Sequence, residues 1–302
     1  MYRRILVPLD GSSFSEAALP LALELSRRTE ADIHLLTVIE GITEFAFEEW
    51  GEKAREGAQQ TLEEVVGRIE GLTNASVSYS IVQGEAADTI ERVAKEVEAQ
   101  VVVMATHGRG AVSRAWLGSV ADRFSRRSQV PTLLVRPDSD GGPVTDFGHD
   151  FDTLLVPLDG SELSEEALRH ATEFGELFDS AYHLTRVVSY PIDLASPYMA
   201  QAGAVNQEIL DESRRCASEY LEERAERLRR RGLRVTTSVT VDGQAGHGIL
   251  TEAEAVGAEL IAIATHGHTG LRRWVLGSAT DKVVRGAEVP VLLHRPGSEV
   301  GE

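Results

Sequence analysis

The sequence predicts an α/β protein with two tandem, doubly wound, Rossmann-like domains, in which helices cover both faces of each parallel sheet. The segment ILVPLDGSSFSEAAL (residues 5–19) returns as LLVPLDGSELSEEAL (residues 154–168), so the chain contains an internal repeat. Short apolar runs alternate with helical patterns through both copies, which is typical of a buried parallel sheet. The two copies are offset by 149 residues, a period far longer than a solenoid unit, so the repeat unit is a whole domain. A Thr-His-Gly segment follows a late apolar run in each copy.

The domain limits follow from the closing segments of the two copies. VPTLLVRP closes the first copy and VPVLLHRP the second, and the residues between the copies are polar and rich in glycine. We predict domains at residues 1–138 and 151–296, a linker at 139–150 and a tail at 297–302. A chain of 302 residues is long enough for two domains that each bury a core.

The first copy alternates strands and helices in a regular order. Its predicted strands are Arg3–Leu9, Asp32–Val38, Ser76–Val82, Gln100–Ala105 and Thr132–Val135. Apolar residues at helical spacing predict helices at about 13–29, 52–69, after Gly84 and at about 118–127. Pro20 lies inside the first of these helices and predicts a kink or a local break there.

The second copy repeats this order with a longer second helix, at about 206–231. Its apolar residues are predicted to face inward: Ile209, Cys216, Ala217, Tyr220, Leu221 and Leu228. The arginines from Arg227 to Arg231 precede Gly232, a pattern that indicates a capped helix C-terminus more than a basic patch.

The composition limits the classes of function. A formal net charge of −18 argues against nucleic-acid and anionic-membrane partners. No apolar run approaches the roughly 18 residues that span a bilayer. The first apolar run ends at Asp10, which is too early for a signal peptide. Cys216 is the only cysteine, so an internal disulfide is excluded. We therefore expect a cytoplasmic protein.

The basic residues are almost all arginine. Lys53, Lys95 and Lys282 are the only lysines among 30 basic residues. Together with the acidic balance, this predicts a surface adapted to high salt. A genome rich in G and C, which favours arginine codons, is the alternative.

A glycine-containing segment recurs at residues 105–119 (ATHGRGAVSRAWLGS) and 264–278 (ATHGHTGLRRWVLGS). In each copy nine residues separate a glycine that follows the strand from a Gly-Ser pair. Glycines let the backbone approach an anion, and free N–H groups at a helix start can hold it. A plain strand-to-helix turn is the alternative. The G-x-x-x-x-G-K-[ST] pattern of a P-loop is absent, since Val120 and Ala279 follow the Gly-Ser pairs and no lysine stands there. The glycines are also too far apart for a dinucleotide fingerprint.

Other polar residues near this segment have two interpretations each. Asp10 and Asp159 follow the first strand of each copy, where a carboxylate would face the glycine segment if the strands are neighbours; a turn or N-cap is the alternative. His107 and His266 are interpreted as hydrogen-bonded, buried residues more than as bases. The nearby arginines either neutralise phosphate or are solvated: Arg109, Arg114, Arg272 and Arg273. No spacing suggests a zinc site.

Three ordered landmarks carry a family resemblance. VPLDGS-x2-S, then G/A-x2-G-x9-G-S, then V-P-x-L-L occur in that order in both halves, and they resemble the universal stress protein family in tandem form. The resemblance implies a five-stranded parallel sheet of order 3-2-1-4-5 in each domain. It also implies that the domains pair through their last strands, so that one chain forms a pseudo-dimer. Further homo-oligomerisation stays open.

The long glycine motif is that of family members that bind ATP, and the resemblance implies one nucleotide pocket per domain. In the first copy the pocket residues would be Pro8, Asp10, Val38, Met104, Ala105, Gly108, Gly118, Ser119 and Val120. In the second copy they would be Pro157, Asp159, Val187, Ile263, Ala264, Gly267, Gly277, Ser278 and Ala279. Asp10 and Val38 would face adenine, Ala105 the ribose, and the glycines and Ser119 the phosphates. Ala105 and Ala264 depart from the glycine that often opens the motif.

The function that these features favour is that of a cytoplasmic stress-response protein that binds ATP, or AMP or ADP, with Mg²⁺ as a possible companion. It would act as a nucleotide-dependent regulator. Slow ATP hydrolysis is the alternative from another class, and the missing lysine argues against it. A nucleotide-free interaction scaffold is the third hypothesis, if the two alanines close the pockets. We expect no catalytic residue and no protein-bound metal.

Overall fold

The computed structural model describes residues 2–41, 48–107, 117–137, 150–189, 203–265 and 276–295. The chain forms two compact units. The first consists of Met1–Asp150 together with Pro290–Glu302, and the second of Phe151–Val289.

The first unit alternates strands and helices as the sequence predicts. Its elements are β1 (Arg4–Pro8), α1 (Leu19–Thr29), β2 (Asp32–Ile39), α2 (Glu48–Ile69), β3 (Val77–Gln83), α3 (Ala86–Glu96), β4 (Val101–Ala105), α4 (Ser119–Arg127), β5 (Thr132–Val135) and, from the end of the chain, β10 (Val291–His294). The strand order is β3-β2-β1-β4-β5, and all of these neighbours are parallel. The predicted doubly wound sheet is therefore confirmed.

The second unit repeats this plan. Its elements are β6 (Thr153–Pro157), α5 (Glu162–Gly175), β7 (Ala181–Val188), α6 (Gly203–Arg229), β8 (Val235–Val241), α7 (Ala245–Ala255), β9 (Leu260–Ala264) and α8 (Ser278–Gly286). The strands run β8-β7-β6-β9, again parallel and in the predicted order.

The last strand of the second copy belongs to the first unit. β10 pairs antiparallel with β5, with Val291 opposite Leu134 and Leu293 opposite Thr132. Arg295 follows β10 and donates hydrogen bonds of 2.6 and 3.0 Å to the last carbonyl groups of α4. The final strands of the two copies are thus neighbours, which fits the pseudo-dimer expectation.

The core of both units consists of strands that are apolar along their whole length. Ile5, Leu6 and Val7 are completely buried, as are Leu154 and Leu155 at the matching positions. A parallel strand with helices on both faces has no side that reaches water, so both alternating sets of side chains must be apolar. This arrangement fixes the positions of the polar residues that follow each strand.

Pro20 marks a helix start. A 3-10 turn at Ser15–Ala18 precedes α1, and Pro20 lies in the first turn of α1. Proline is tolerated there because the first N–H groups of a helix have no partner within it. The predicted local break is confirmed.

The prediction for α6 is wrong at two residues. Ile209 is 41% exposed and Cys216 is exposed. The buried stripe runs instead through Leu210, Ala217, Leu221, Ala225 and Leu228. These positions follow one another at helical spacing, and the stripe lies about 100° around the axis from Ile209 and Cys216.

The end of α6 agrees with the capping interpretation. Gly232 has a φ of 89°, in the region that favours glycine, and follows the last turn. Arg229 pairs with Glu222 at 2.8 Å and Arg231 with Glu176 at 2.6 Å. These arginines are therefore engaged with carboxylates and do not form a basic patch. No helix in the described ranges is both long and apolar enough to cross a bilayer.

Candidate functional site

A cleft of about 700 Å³ opens in the first unit where β1, β2 and β4 end. Residues of β1, β2, α3, β4 and α4, together with the loops after the strands, line it: Pro8, Asp10, Ser15, Val38, Glu40, Ala86, Ile90, Met104, Ala105, His107, Gly118, Ser119 and Val120 among them. This list includes every pocket residue predicted for the first copy except Gly108, which lies outside the described residues.

The position of the cleft follows from the strand order. β1 pairs with β2 on one side and with β4 on the other, so the winding direction of the sheet reverses between β1 and β4. Ligands of open α/β sheets bind beyond the strand ends at such a point. Asp10 after β1 and Ala105 at the end of β4 therefore meet at one edge, although they are distant in the sequence.

The first turn of α4 presents unpaired backbone donors to the cleft. Asp122 donates the first helical hydrogen bond, 2.9 Å to the carbonyl of Gly118. The N–H groups of Ser119, Val120 and Ala121 precede it and have no partner within the described residues, and all three residues line the cleft. Donors of this kind, at the positive end of the helix dipole, form an anion-binding site.

Asp10 has a structural partner as well as a place in the cleft. Its Oδ1 accepts hydrogen bonds from the N–H of Ser12 at 2.9 Å and from the Ser12 hydroxyl at 2.5 Å. Asp159 makes the matching pair of bonds with Ser161, at 3.0 and 2.5 Å, and Ser161 caps α5. The turn interpretation is thus confirmed in both copies. Contact of Asp10 with a ligand stays a prediction.

His107 reaches the cleft in a half-buried position. Its Nδ1 lies 2.9 Å from the hydroxyl of Thr106. Burial lowers the pKa of His107, and the charge of Arg136 lowers it further, so the neutral ring is favoured. Its Nε2 is buried and has no hydrogen-bond partner in the described part of the chain. His266, its equivalent, lies outside that part.

Glu40 was not singled out from the sequence. It follows β2 directly, lines the cleft, and its Oε1 accepts a 2.7 Å hydrogen bond from the backbone N–H of Ala86, at the start of α3. The hint available in the sequence was an acidic residue immediately after the second strand. The matching residue of the second copy is Ser189, which carries no charge.

The second copy has the same local geometry at the start of α8. The N–H of Gly277 donates 2.9 Å to the carbonyl of Thr265, and Asp281 donates 2.8 Å to the carbonyl of Gly277. β6 lies beside β9, so Pro157 and Asp159 approach the same sheet edge as Ile263 and Ala264. Ser278 and Ala279 begin α8, and Val187 lies in β7. Gly267 lies outside the described residues.

Comparison with known proteins agrees with the repeat. A family model described as the universal stress protein family matches residues 1–136 and again 150–295. The chain belongs to the universal stress protein family.

Relatives of this universal stress protein share its tandem length. A universal stress protein of Mycolicibacterium smegmatis is 28% identical over 305 residues, covering 97% of each chain. One of Mycobacterium bovis is 29% identical over 251 residues, covering 82% of this chain and 78% of its own. Among solved structures, a universal stress protein of Archaeoglobus fulgidus superposes with a TM-score of 0.74 at 21% identity, covering 97% of this chain and 98% of that one. At this identity the structural likeness shows the fold.

The two copies of this universal stress protein differ in how closely their helices approach the site. A methyl group at Gly246 would lie 2.7 Å from Cβ of Lys282 and 2.9 Å from the carbonyl oxygen of Ala279. A methyl group at Gly248 would lie 3.0 Å from Cγ1 of Val187. The first copy has Ala87 and Thr89 at these positions. The start of α7 therefore packs more tightly on α8 and on Val187 than α3 packs on its neighbours.

A charge difference accompanies this packing. Arg186 of β7 lies with its guanidinium 5.2 Å from the ring centroid of Tyr220, and a methyl group at Gly160 would contact it at 3.4 Å. The first copy has Thr37 in place of this arginine. The second copy thus has a cation next to its Asp159 turn, and the first copy has the Glu40 carboxylate in its cleft.

Ion pairs join the two helices that border the cleft of the first copy. Arg123 pairs with Glu85 at 2.8 Å and with Asp88 at 3.4 Å, and Arg127 pairs with Asp88 at 2.6 Å. Partly exposed pairs of this kind contribute little stability. They link the start of α3 to α4 across the helix surface. The described residues contain no cluster of histidine, cysteine and carboxylate groups suited to a metal ion.

Proposed function

We propose that this universal stress protein binds ATP in the cleft of the first copy and, with lower affinity, at the matching site of the second copy. The observation that carries the proposal is the set of N–H groups at Ser119, Val120 and Ala121, which line the cleft and have no partner in the part of the chain that the structure describes. They provide the donors that a phosphate chain requires. A volume of about 700 Å³ suits a nucleotide.

The remaining cleft residues support a defined orientation of the nucleotide. Val38 and Ile90 provide apolar surface beside β2 and α3, where an adenine ring would pack. Met104 and Ala105 line the same cleft at the end of β4, and the ribose would lie against them. Mg²⁺ would accompany ATP and offset the phosphate charge in a protein whose net charge is −18.

A regulatory role is favoured over catalysis. Ser119 and Val120 follow Gly118, where a P-loop has its lysine and then a hydroxyl residue, and no lysine or arginine lines the cleft among the described residues. Phosphoryl transfer depends on cationic groups, such as the P-loop lysine, that stabilise the charge of the transition state. The protein would therefore act as a nucleotide-dependent regulator, whose state depends on whether ATP is bound. We infer that it does so in a cytoplasm of high salt. AMP or ADP would occupy the same site if they outcompete ATP.

Binding can be tested first without any variant. The purified chain is extracted with acid, the nucleotide is identified by chromatography, and binding of Mg-ATP is measured by calorimetry. We expect ATP in the extract and saturable binding. An empty extract together with no binding heat would contradict the proposal and would favour a nucleotide-free scaffold. Steady phosphate release from Mg-ATP would favour the hydrolytic alternative.

A variant at Ser119 tests the anion site itself. Ser119→Glu places a carboxylate at the unpaired donors, and an acid in the first turn of a helix is compatible with its dipole, so folding is retained. We expect binding of Mg-ATP to weaken by at least about tenfold, the cost of roughly one lost charged hydrogen bond. Ser119→Gln introduces a side chain of the same size without the charge and is the matched control. It should bind Mg-ATP more tightly than Ser119→Glu does. Ser278→Glu applies the same test to the second copy.

A further inference from the structure

One carboxylate oxygen of Glu40 is hydrogen-bonded to the protein, and the other has no partner within the described residues. Oε1 accepts the 2.7 Å hydrogen bond from the N–H of Ala86. No other hydrogen bond or ion pair of Glu40 occurs within the described residues, so Oε2 has no protein partner there. Glu40 lines the same cleft as Val38, Ile90 and the start of α4.

The two helix starts at the cleft therefore differ in charge. At α3 the Glu40 carboxylate occupies the N–H of Ala86 and makes that end negative. At α4 the donors of Ser119 and Val120 stay available for an anion. A nucleotide has one anionic end, and it would place its phosphates at α4 and its base towards β2 and α3. This orientation brings the edge of the base to Glu40.

We propose that Glu40 selects the base, because its available carboxylate oxygen accepts a hydrogen bond from an exocyclic amino group. The inference rests on the proposed function. Adenine carries an amino group at position 6, whereas hypoxanthine has the same ring system with a carbonyl oxygen there. A carboxylate attracts the first and repels the second, and a ligand that leaves a polar group unpaired is rejected. The site therefore discriminates ATP from ITP.

The second copy has no glutamate at the position that matches Glu40. Ser189 stands there, so the carboxylate that Glu40 supplies in the first copy has no counterpart at the matching position. Discrimination is therefore a property of the first copy. Measurements are made on the full chain with Ser278→Glu, so that binding reports the first copy alone.

The experiment compares the affinities of Mg-ATP and Mg-ITP by competition calorimetry. With Glu40 present we expect ATP to bind on the order of tenfold more tightly, as for a solvent-exposed hydrogen bond to a charged group. In Glu40→Gln the amide oxygen can hold Ala86 while the amide N–H2 faces the ligand. The preference should then disappear or reverse towards ITP, and in Glu40→Ala it should fall to about one.

Glu85→Gln is the matched control. Glu85 caps the same helix, since its side chain accepts a 2.9 Å hydrogen bond from the backbone N–H of Asp88, but Glu85 does not line the cleft. It should keep the preference for ATP. Thermal melts of all variants establish that they are folded. A folded Glu40→Gln protein that keeps the full preference would overturn the inference and leave ATP binding intact. Failure of the parent chain to bind either nucleotide would instead overturn the proposed function.

Discussion

The backbone N–H of Gly118 donates a 2.8 Å hydrogen bond to the carbonyl oxygen of Thr106, and this close approach would crowd a side chain at position 118. A methyl group at Gly118 would lie 3.1 Å from that oxygen and 3.7 Å from Cα of His107. The φ of Gly118 is −59°, which any residue adopts, so the requirement for glycine here is space and not conformation. This contact sets where α4 begins relative to the end of β4.

Gly118→Ala should lower the free energy of unfolding by about 1–2 kcal/mol, because the opposing atoms belong to the backbone and cannot rotate away. It should also weaken Mg-ATP binding by displacing the first turn of α4. Gly67→Ala is the control. Gly67 lies in α2 with nothing within 4 Å of an added methyl group, so alanine should stabilise the protein by roughly 0.5–1 kcal/mol. Urea unfolding measures both, and changes of the same sign would contradict the prediction.

Gly175 packs against the ring of Tyr182, and only a residue without a side chain fits at this position. A methyl group at Gly175 would lie 2.7 Å from Cζ of Tyr182, whose hydroxyl donates 3.1 Å to the carbonyl of Thr172. Gly175→Ala should destabilise by about 2–3 kcal/mol through overpacking. Tyr182→Phe should cost about 1 kcal/mol for the lost hydrogen bond. The double variant should cost less than the sum, because phenylalanine removes the hydroxyl oxygen, which is the atom that the added methyl group would approach most closely. Strictly additive values in a double-mutant cycle would argue against it.

His183 is a buried titratable group outside the cleft. Its Nδ1 lies 2.8 Å from the hydroxyl of Thr236, and its Nε2 lies 2.9 Å from the Ser238 hydroxyl and 3.0 Å from Oε1 of Glu252. His34, at the matching position of the first copy, bridges two serine hydroxyls in the same way. Burial lowers the pKa of His183 below 6.5, although the Glu252 carboxylate acts in the opposite direction.

This lowered pKa predicts a loss of stability on acidification. The unfolded chain takes up the His183 proton near pH 6.5, whereas the folded protein takes it up only at lower pH. The unfolded state therefore binds more protons in that interval, and stability falls as the pH decreases from about 7 towards 5. His183→Gln should reduce this fall while keeping a polar group at the position. Equal pH slopes of the urea midpoint in the two proteins would refute the assignment.

Cys216 should react slowly despite its exposure. Its thiol donates to Oε1 of Glu212 at 3.5 Å, and this hydrogen bond, with a smaller effect of local desolvation, raises the pKa of Cys216. Less thiolate is present at pH 8, so alkylation is slow. Glu212→Gln should accelerate it a few-fold. Glu208→Gln, about two turns earlier on the same helix, should leave the rate unchanged. A rate in the parent chain equal to that of a free thiol would contradict the prediction.

Salt should stabilise the protein. The net charge of −18 produces repulsion that is stronger in the compact state, and cations screen it over roughly 10 Å at 0.1 M. We expect the melting temperature to rise by several degrees between low and molar KCl. Glycerol at matched osmolality separates screening from a general solvent effect. A melting temperature indifferent to KCl would favour codon usage as the reason for the scarcity of lysine.

Features repeated along the chain could be predicted best. The match between the segments at Pro8 and Pro157, together with the apolar strands, indicated two parallel-sheet domains, because such patterns are local. The strand order came from the family resemblance that these segments and the Gly-Ser pair at Gly118 carry. The inward face of α6 could not be predicted, since Ile209 and Leu210 are adjacent and apolar and only the packing decides between them. The contact of Glu40 with α3 could not be predicted either. It depends on the folded position of the Ala86 N–H group, which lies far from Glu40 in the sequence.

The antiparallel pair of β5 and β10 has a consequence for biosynthesis. β5 ends at Val135 and its partner begins at Val291, so a nascent chain on the ribosome carries an open β5 edge while the whole second copy is translated. At roughly 5–20 residues per second this interval lasts on the order of ten seconds. An open edge presents unpaired backbone groups to other strands. Neighbouring nascent chains on one messenger RNA could therefore exchange their final strands, and slower translation would increase the yield of such entangled products.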